Sequence, residues 1–434
     1  MGSFTPDIET KTREEIREFQ EQKLRELMAY ANEHSAFYKS RFREQGIDAS
    51  AIRSLTDLQN IPVTTKDDLH HHNTDFICVS PDKIIDYVTT SGTLGDPLTF
   101  VLTDKDLERL AYNEYISLAC AGGSKEDIYQ LMTTIDRRFM AGMAYFLGLR
   151  KMGAGVVRVG NGMPEFQWDT IKRLNPTVAI AVPSFLIKLI EFAEQQGIDY
   201  KNCSIQKIVC IGEPIRNEDF SLNTLGKRIT DKWPVTLFST YASTEMGAAF
   251  TECREGKGGH HHPELLITEF LDDQNRPVKE GEAGELTVTT LGVEGMPLIR
   301  FKTGDICKAH YEPCGCGRNT LRISPILGRK QQMIKFKGTS LYPPALYDVL
   351  NTIPYIKNFI VEVFTNDIGT DEISITIGAV NAPDNFDKEL KDHFRAKLRV
   401  APAIVLDTPE NITKKQFPEM SRKPITFIDR RVKS

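Results

Sequence analysis

The chain has 434 residues, of which 54 are basic and 59 acidic, and its formal charge is −5. This near balance gives no electrostatic case for nucleic acid or a membrane as partner, and no stretch approaches the roughly 18 apolar residues of a transmembrane helix. The length and the 40% hydrophobic content predict a globular protein of two or three domains. The N-terminal residues carry no secretory signal pattern, so we expect a cytoplasmic location.

The first predicted element is an amphipathic helix over residues 11–31, where apolar side chains fall near one face with charges between them. Thr64 or Thr65 is expected to cap a short helix farther along. Residues 70–72 are three adjacent histidines. Because three neighbouring side chains cannot all face one metal ion, a solvated helix end is favoured for them.

The segment Thr89–Pro97, with the sequence TTSGTLGDP, is rich in hydroxyl groups and glycine. Its backbone N–H groups can turn toward an anion while Thr and Ser hydroxyls donate beside them. This pattern predicts a phosphate-binding loop, although it lacks the Gly-Lys-Ser/Thr sequence of a Walker A loop. Taken alone, the segment is also compatible with an ordinary turn.

Between residues 80 and 325, short β-branched runs alternate with helical patterns, which predicts an α/β fold. Ligands of such sheets bind where strands end and loops begin, and Ser184, Glu213 and Tyr241 occupy such positions. The runs predicted as buried strands are 156–159, 178–182 and 207–211, and a more β-rich part follows at 284–290.

The pattern resets near residue 327, and residues 334–434 read as a βαββαβ-like unit. We therefore predict a domain of residues 1–326 and a second of residues 327–434. No low-complexity linker separates them, so rotation about a few residues is expected.

A second constellation combines Cys253, the histidines at 260–262, Cys314 and Cys316. Thiolate and imidazole are preferred zinc ligands, and three Cys with one His would complete a closed tetrahedral site. The alternative is that the thiols lie in turns and the histidines are solvated. Other cysteines are in largely apolar surroundings and are expected to be buried and inert, namely Cys78, Cys120, Cys203 and Cys210.

Taken together, these segments resemble the adenylate-forming enzymes and, within them, the phenylacetate–coenzyme A ligases. The likeness spans essentially the full chain. Besides the Thr89–Pro97 loop, it is carried by residues 55–69, AVPSF at 181–185, GEP at 212–214, YASTE at 241–245, GEL at 284–286, MPLIRFKTGD at 296–305, CGCGR at 314–318, GR at 328–329 and MIKFKG at 333–338.

This resemblance implies a large adenylation domain of several subdomains with mixed sheets, followed by a small mobile α+β domain. It implies an ATP-dependent, AMP-forming acid–thiol ligase that uses Mg²⁺. A carboxylate, expected to be phenylacetate or a related aryl acid, would attack the α-phosphate of ATP to give an acyl-adenylate. Coenzyme A would then displace AMP.

The resemblance also implies residue roles. Lys423 would steady charge at the α-phosphate, Glu245 would hold Mg²⁺, and Asp305 would accept the ribose hydroxyls. Thr90 is expected to act with Lys423 and Glu245 in catalysis. The expected nucleotide-binding residues are Thr90, Ser91, Gly92, Thr93, Gly212, Glu213, Pro214, Tyr241, Ala242, Ser243, Thr244, Asp305 and Arg329. The expected acid-binding residues are Gly160, Pro183, Ser184, Phe185 and Tyr241.

Similar Cys and His positions occur in the ligases that this chain resembles, which favours a structural zinc. Among the three histidines, the resemblance favours His260 as the ligand, because it stands before Glu269 where the family histidine stands relative to its strand glutamate, and His261 is the alternative. The expected zinc ligands are thus Cys253, His260, Cys314 and Cys316.

Three positions depart from the family pattern: Asp96 stands where relatives carry Lys, Gln331 stands at the expected hinge, and Arg422 precedes Lys423. A charge reversal at Asp96 would cost nucleotide binding on the order of several kcal/mol if it faced the phosphates. Two alternatives stay open, an adenylating enzyme with another acceptor and a non-catalytic nucleotide- or acid-binding protein. A homodimer is a further hypothesis.

Overall fold

The computed structural model describes residues 4–90, 97–336, 339–366, 370–383, 385–417 and 424–431. The chain divides into two compact units. The first holds most of the chain up to residue 325, and the second holds residues 326–434 with the short piece 304–306. The boundary at 326/327 that the sequence suggests stays a prediction.

Helix α1, Arg13–His34, confirms the amphipathic prediction and buries Leu24 and Met28. A capping box starts it, because the Thr12 hydroxyl accepts from the backbone N–H of Glu15 while the Glu15 carboxylate accepts from that of Thr12. Thr65 caps α4, Lys66–His71, in the same way through Asp68.

In the first unit, helices and strands alternate over residues 104–243 as the β-branched runs suggest, whereas the elements that follow in this unit are strands. The remaining helices of this unit are α2 Ala36–Gln45, α3 Leu55–Leu58, α5 Asp104–Cys120, α6 Met140–Met152, α7 Pro164–Leu174, α8 Pro183–Gln196 and α9 Thr224–Thr230. Its strands are β1 Asp86–Thr89, β2 Thr99–Leu102, β3 Ile128–Leu131, β4 Gly155–Arg158, β5 Val178–Ala181, β6 Lys207–Cys210, β7 Thr236–Ser243, β8 Ala248–Glu252, β9 Gly259–His260, β10 Leu266–Leu271, β11 Ala283–Thr290, β12 Phe301–His310 and β13 Arg322–Ile323.

The main sheet has the order β10-β11-β12-β13-β9-β8-β7-β6-β5-β3-β4. Neighbours from β4 to β7 run parallel, while β7, β8, β9 and β13 pair antiparallel. Helices cover both faces of the parallel part. In β5, Ala179 and Ala181 pack in a core with α7 and α8, whereas Val178 and Ile180 pack in another with α6. This explains why the strand reads as a continuous apolar run.

In the second unit, an apolar core lies between the helices and the sheet of β17 and β18, and Ile375 and Phe394 are fully buried there. Its four-stranded sheet has the order β19-β18-β17-β20. The elements are β14 Gly328–Arg329, β15 Ile334–Phe336, β16 Thr339–Leu341, α10 Pro343–Asn351, β17 Ile356–Thr365, β18 Asp371–Ala379, α11 Phe386–Leu398, β19 Ala403–Asp407, α12 Pro409–Gln416 and β20 Phe427–Asp429. The βαββαβ order from β16 to β19 follows the sequence prediction, and β15 and α12–β20 extend it.

Two sequence predictions about burial were wrong. The run 156–159 is not a buried strand, because β4 lies at the end of the sheet order with Gly155 and Arg158 exposed. Cys203 is only half-buried, whereas Cys78, Cys120 and Cys210 are buried. In the described part of the chain, no helix combines the length and the apolar character needed to span a bilayer.

Candidate functional site

The carboxyl ends of β4, β3, β5, β6 and β7 lie along one edge of the main sheet, because these strands run parallel. Ser184 follows β5 and Glu213 follows β6. The backbone N–H and the hydroxyl of Ser184 each donate to the Glu213 carboxylate at 2.8 Å. These two hydrogen bonds join adjacent strand ends, so Glu213 is held as a fixed acceptor at this edge.

The turns beside these residues depend on glycine. Gly212 has φ +77° and Gly160 has φ +83°, a region that other residues rarely adopt. The Gly160 N–H donates to the Leu131 carbonyl of β3 at 3.1 Å, so this turn lies at the same sheet edge. Of the other residues expected to bind the acid, Pro183 is buried and Phe185 half-buried in the first turn of α8.

Tyr241 lies in β7, the last strand of the parallel part. It is half-buried and pairs with Phe250 of β8, with ring centroids 6.1 Å apart. The following residues, Ala242, Ser243 and Thr244, lead into the turn before β8, where the Ser243 hydroxyl accepts from the Met246 N–H at 3.3 Å. The YASTE segment thus runs from a strand into a short hydrogen-bonded turn.

Glu245 lies in this turn, and its side chain is 10% exposed. Lys66 Nζ lies 4.0 Å from Glu245 Oε1. Lys66 is the first residue of α4, and the Thr65 cap fixes where that helix begins. Sequence reasoning missed this partner, because it attached no role to the residue after the cap.

Arg109 stabilises the turn that contains Glu245. Its guanidinium donates to the carbonyls of Gly247, Leu265 and Leu291, each at 2.7 Å. Burial lowers the pKa of Arg109 to about 10. A small cavity lies between this arginine, Met140 and Glu245.

Asp305 and Arg329 pair across β12 and β14 within the second unit. Arg329 Nε lies 3.3 Å from Asp305 Oδ1, and the Asp305 side chain is only 11% exposed. The guanidinium therefore holds in place a carboxylate that could accept two hydroxyl groups.

At the base of the Thr89–Pro97 loop, the Thr90 N–H donates to the Leu98 carbonyl at 3.0 Å, and the Thr90 hydroxyl accepts from the Leu98 N–H at 3.0 Å. Thr90 thus closes the loop. The expected residues that lie outside the described part of the chain are Ser91, Gly92, Thr93 and Lys423, together with Asp96 and Arg422. Gln331 is exposed, and its carbonyl accepts from Arg431 at 3.0 Å.

The cysteine centre consists of Cys253, His260, Cys314 and Cys316, whose ligand atoms all lie within 4.8 Å of one another. Cys253 Sγ is 3.6 Å from Cys314 Sγ, and Cys316 Sγ is 3.5 Å from His260 Nε2. The distance between the two sulfur atoms exceeds the length of a disulfide bond, which is about 2.05 Å. It is close to the roughly 3.8 Å that separates two thiolates bound to one tetrahedral zinc with Zn–S bonds of about 2.3 Å.

Three groups of the centre have shifted pKa values. The hydrogen bond between Cys253 and Cys316, together with that from His260, lowers the pKa of the Cys316 thiol and favours a thiolate there, whereas the same Cys253–Cys316 bond raises the pKa of the Cys253 thiol. Burial lowers the pKa of His260, which favours the neutral imidazole that ligates metals. His260 Nδ1 lies 3.3 Å from the Thr320 hydroxyl, and this contact orients the ring.

The neighbouring histidines have other partners. His261 Nε2 lies 2.7 Å from the Leu266 carbonyl, and its ring stacks on Phe250. All three histidines at 260–262 are buried, so the alternative of a solvated histidine run was wrong.

His262 belongs to a buried network beside the centre. Its Nδ1 lies 2.5 Å from Glu9 Oε1 and its Nε2 lies 3.1 Å from the Ser117 hydroxyl. Arg318 Nε donates to Glu9 Oε2 at 2.6 Å, and Arg318 Nη1 reaches Cys316 Sγ at 3.6 Å. Burial raises the pKa of Glu9, but the attraction and hydrogen bonds of His262 and Arg318 outweigh it, so that this pKa lies below its usual value. Ser117, His262 and Glu9 are at most 1% exposed, so this Ser–His–Glu arrangement holds the N-terminal segment rather than a substrate.

The chain is similar to AMP-binding enzymes of known function. The AMP-binding enzyme family matches residues 11–295. The phenylacetate-coenzyme A ligase of Thermus thermophilus is 32% identical over 358 residues, which cover 81% of this chain and 79% of that protein. The corresponding ligase of Escherichia coli is 29% identical over 350 residues, covering 78% and 77%.

Among solved structures, 2-hydroxyisobutyryl-CoA ligase in complex with R3-HIB-AMP matches 98% of this chain and 94% of its own, with a TM-score of 0.84 at 22% identity. The anthranilate CoA ligase AuaEII in complex with anthranoyl-AMP matches 80% and 67%, with a TM-score of 0.60 at 17% identity. These likenesses confirm the α/β adenylation fold that the sequence predicts. The chain therefore belongs to the AMP-binding enzymes and, within them, to the phenylacetate–coenzyme A ligase family.

Proposed function

We propose that this AMP-forming acid–coenzyme A ligase acts on phenylacetate or a related aryl acid. The identity with phenylacetate-coenzyme A ligases over 81% of the chain supports this substrate class. The observation that carries the proposal is the row of strand-end groups, with Ser184 bonded twice to Glu213 on one side and Glu245 beside Lys66 on the other. We call Ser184, Glu213, Tyr241 and Glu245 the strand-end site.

The proposed reaction has two steps. The aryl carboxylate attacks the α-phosphorus of ATP, an O–P bond forms, and the bond to the bridging oxygen breaks to release pyrophosphate. The sulfur of coenzyme A then attacks the acyl carbon, loses its proton, and displaces AMP as the C–O bond breaks. Lys423 stabilises the charge that develops at the α-phosphate in the first step.

The nucleotide is bound through hydroxyl, backbone and carboxylate groups. Thr90, with Ser91, Gly92 and Thr93, donates to the β- and γ-phosphates. Tyr241 and residues 212–214 and 242–244 flank the adenine. Asp305 accepts the ribose hydroxyls while Arg329, whose Nε lies 3.3 Å from Asp305 Oδ1, holds that carboxylate in place.

Glu245 is the proposed protein ligand for Mg²⁺. This ion prefers one or two carboxylates with phosphate oxygens, and the little-exposed Glu245 carboxylate fits that role. Bound Mg²⁺ would neutralise charge on the phosphates. We assign Lys66 as a positioning residue, because its ammonium group lies 4.0 Å from Glu245 Oε1 and orients that carboxylate.

The cysteine centre is the proposed site of a structural zinc. Its three sulfur atoms and one nitrogen fill four positions and leave none for a substrate, so the metal would join the loop at 253–260 to the turn at 314–316. The cytoplasmic location stays a prediction. The homodimer also stays a prediction, which light scattering on the purified protein would test.

The substrate proposal is tested by measuring AMP and coenzyme A thioester from ATP and Mg²⁺ over a panel of phenylacetate, substituted arylacetates, benzoates and short fatty acids. We expect equal amounts of AMP and thioester, largest with an aryl acid and absent in Lys423→Ala. Larger yields with short fatty acids would contradict the aryl substrate. AMP without thioester would indicate another acceptor.

A further inference from the structure

Arg137 and Arg138 lie in the loop that follows β3, at the same sheet edge as the strand-end site. Strand β3 is placed between β5 and β4 in the sheet order, so this loop emerges between the Ser184 turn and the Gly160 turn. Both arginine side chains are exposed. Two cations thus stand between the turns at the ends of β4 and β5, which sequence reasoning had assigned to acid binding.

The backbone holds these arginines in an unusual conformation. Arg137 has φ +57° and Arg138 has φ +58°, and two successive residues other than glycine in this region are costly. Close packing sustains the loop, because a Cβ at Gly142 of α6 would lie only 2.1 Å from the Thr134 carbonyl oxygen. Such conformations persist where the surroundings over-determine them and cluster at binding sites.

A direct hydrogen bond joins this loop to the base of the Thr89–Pro97 loop. The Thr89 N–H donates to the Arg138 carbonyl at 3.0 Å, and Thr90 next to it bonds Leu98. By sequence, the Thr89–Pro97 segment contains no Lys or Arg and carries the acidic Asp96. The four negative charges of the ATP polyphosphate therefore find no cation in that segment itself.

We propose that Arg137 and Arg138 bind the β- and γ-phosphates of ATP and supply the positive charge that the Thr89–Pro97 segment lacks. A guanidinium group offers a planar pair of donors that matches phosphate oxygens, and its charge does not titrate. This inference rests on the proposed function only in placing the ATP phosphates at Thr90.

The test is equilibrium binding of Mg·ATP and of AMP to the intact protein without acid or coenzyme A. The variants are Arg137→Gln/Arg138→Gln, the conservative Arg137→Lys/Arg138→Lys, and Arg150→Gln as matched control, since Arg150 is an exposed arginine at the other end of α6. We expect the Gln pair to weaken Mg·ATP binding by at least about tenfold and to leave AMP binding unchanged. The Lys pair should recover part of the loss, and the control should bind as the wild type does.

Unchanged Mg·ATP binding in the Gln pair would overturn the inference, and so would an equal loss of AMP affinity. If the wild type binds Mg·ATP but forms no thioester with any acid, the proposed function fails while the binding comparison still decides the role of the arginines.

Discussion

The cysteine centre and the strand-end site use similar residue types in opposite ways. In and around the centre, the ionisable groups turn toward one another, and Glu9, His260 and His262 are at most 1% exposed. At the strand-end site, Ser184, Glu213, Tyr241 and Glu245 are half-buried on turns that follow strands. Buried and mutually satisfied polar groups specify a structure, whereas partly exposed groups at strand ends can meet a ligand.

The difference separates stability from chemistry in a way that mutations can test. Changes at the strand-end site should lower the reaction rate and leave unfolding unchanged. Changes at the cysteine centre should do the reverse.

The largest effect is expected at Glu245. Glu245→Gln removes the proposed Mg²⁺ ligand but keeps the side-chain volume, so kcat/KM for Mg·ATP should fall by about 10² to 10³-fold. The melting temperature should stay within about 2 °C of the wild type. Steady-state rates over a magnesium titration measure this, with Glu165→Gln on the exposed face of α7 as the control. A wild-type rate in Glu245→Gln would remove Glu245 from the mechanism.

The next effect concerns the cysteine centre. Zinc analysis should find about one equivalent per chain, and Cys314→Ser should lose the metal and destabilise the fold by several kcal/mol. Below its unfolding temperature the variant should keep kcat within about threefold. The half-buried Cys203 gives the matched control, Cys203→Ser, which should retain the metal. Full zinc content in Cys314→Ser would contradict the assigned ligand set.

A third prediction uses two buried carboxylates with different partners. Glu9 faces His262 and Arg318, whereas the Glu114 carboxylate accepts a hydrogen bond from the neutral side-chain amide of Asn113. Burial raises the pKa of Glu114 to about 8 from its usual 4.5. The folded protein therefore keeps a proton that the unfolded chain releases in this window, so the free energy of unfolding falls as pH rises from 4.5 to about 8.

Replacing Glu114 by Gln should remove this pH dependence, which is on the order of several kcal/mol. Urea unfolding at about pH 5 and about pH 8 measures it. Glu108→Gln, an exposed change on the same helix, should keep the wild-type slope. A slope retained in Glu114→Gln would assign the dependence to other groups.

The smallest effect is expected at Lys66. The Lys66 ammonium group lies 4.0 Å from Glu245 Oε1, so its loss leaves the proposed Mg²⁺ ligand in place but less well oriented. Lys66→Gln should therefore raise KM for Mg·ATP by about three- to tenfold, with kcat changed less. Lys39→Gln, an exposed change on α2, should leave KM unaltered. A larger loss in kcat than in KM would give Lys66 a role in the chemical step.

Local patterns in the sequence predicted the elements, but contacts between distant segments decided the environments of single residues. The fully buried β5 and the amphipathic α1 follow from apolar spacing alone. The edge position of β4 could not be predicted from its own residues, because strand order arises from packing across the whole sheet. Likewise, the pairing of Lys66 with Glu245 joins residues that are far apart in the chain.

The candidate sites show the same limit. Motifs located the strand-end residues and the four residues of the cysteine centre, which the structure brings together. The buried state of His262 depends on Glu9, which reaches it across 253 positions, and no local pattern signals that contact. The arginines at 137 and 138 carried only the weak signal of two adjacent charges after a strand.

The most direct test of the account is acid-dependent exchange of labelled pyrophosphate into ATP, measured without coenzyme A for the wild type, Glu245→Gln and Cys314→Ser at a temperature where all three are folded. The account predicts phenylacetate-dependent exchange in the wild type and in Cys314→Ser, and loss of at least about 99% of it in Glu245→Gln. Exchange that survives in Glu245→Gln but disappears in folded Cys314→Ser would contradict the division between the strand-end site and the cysteine centre.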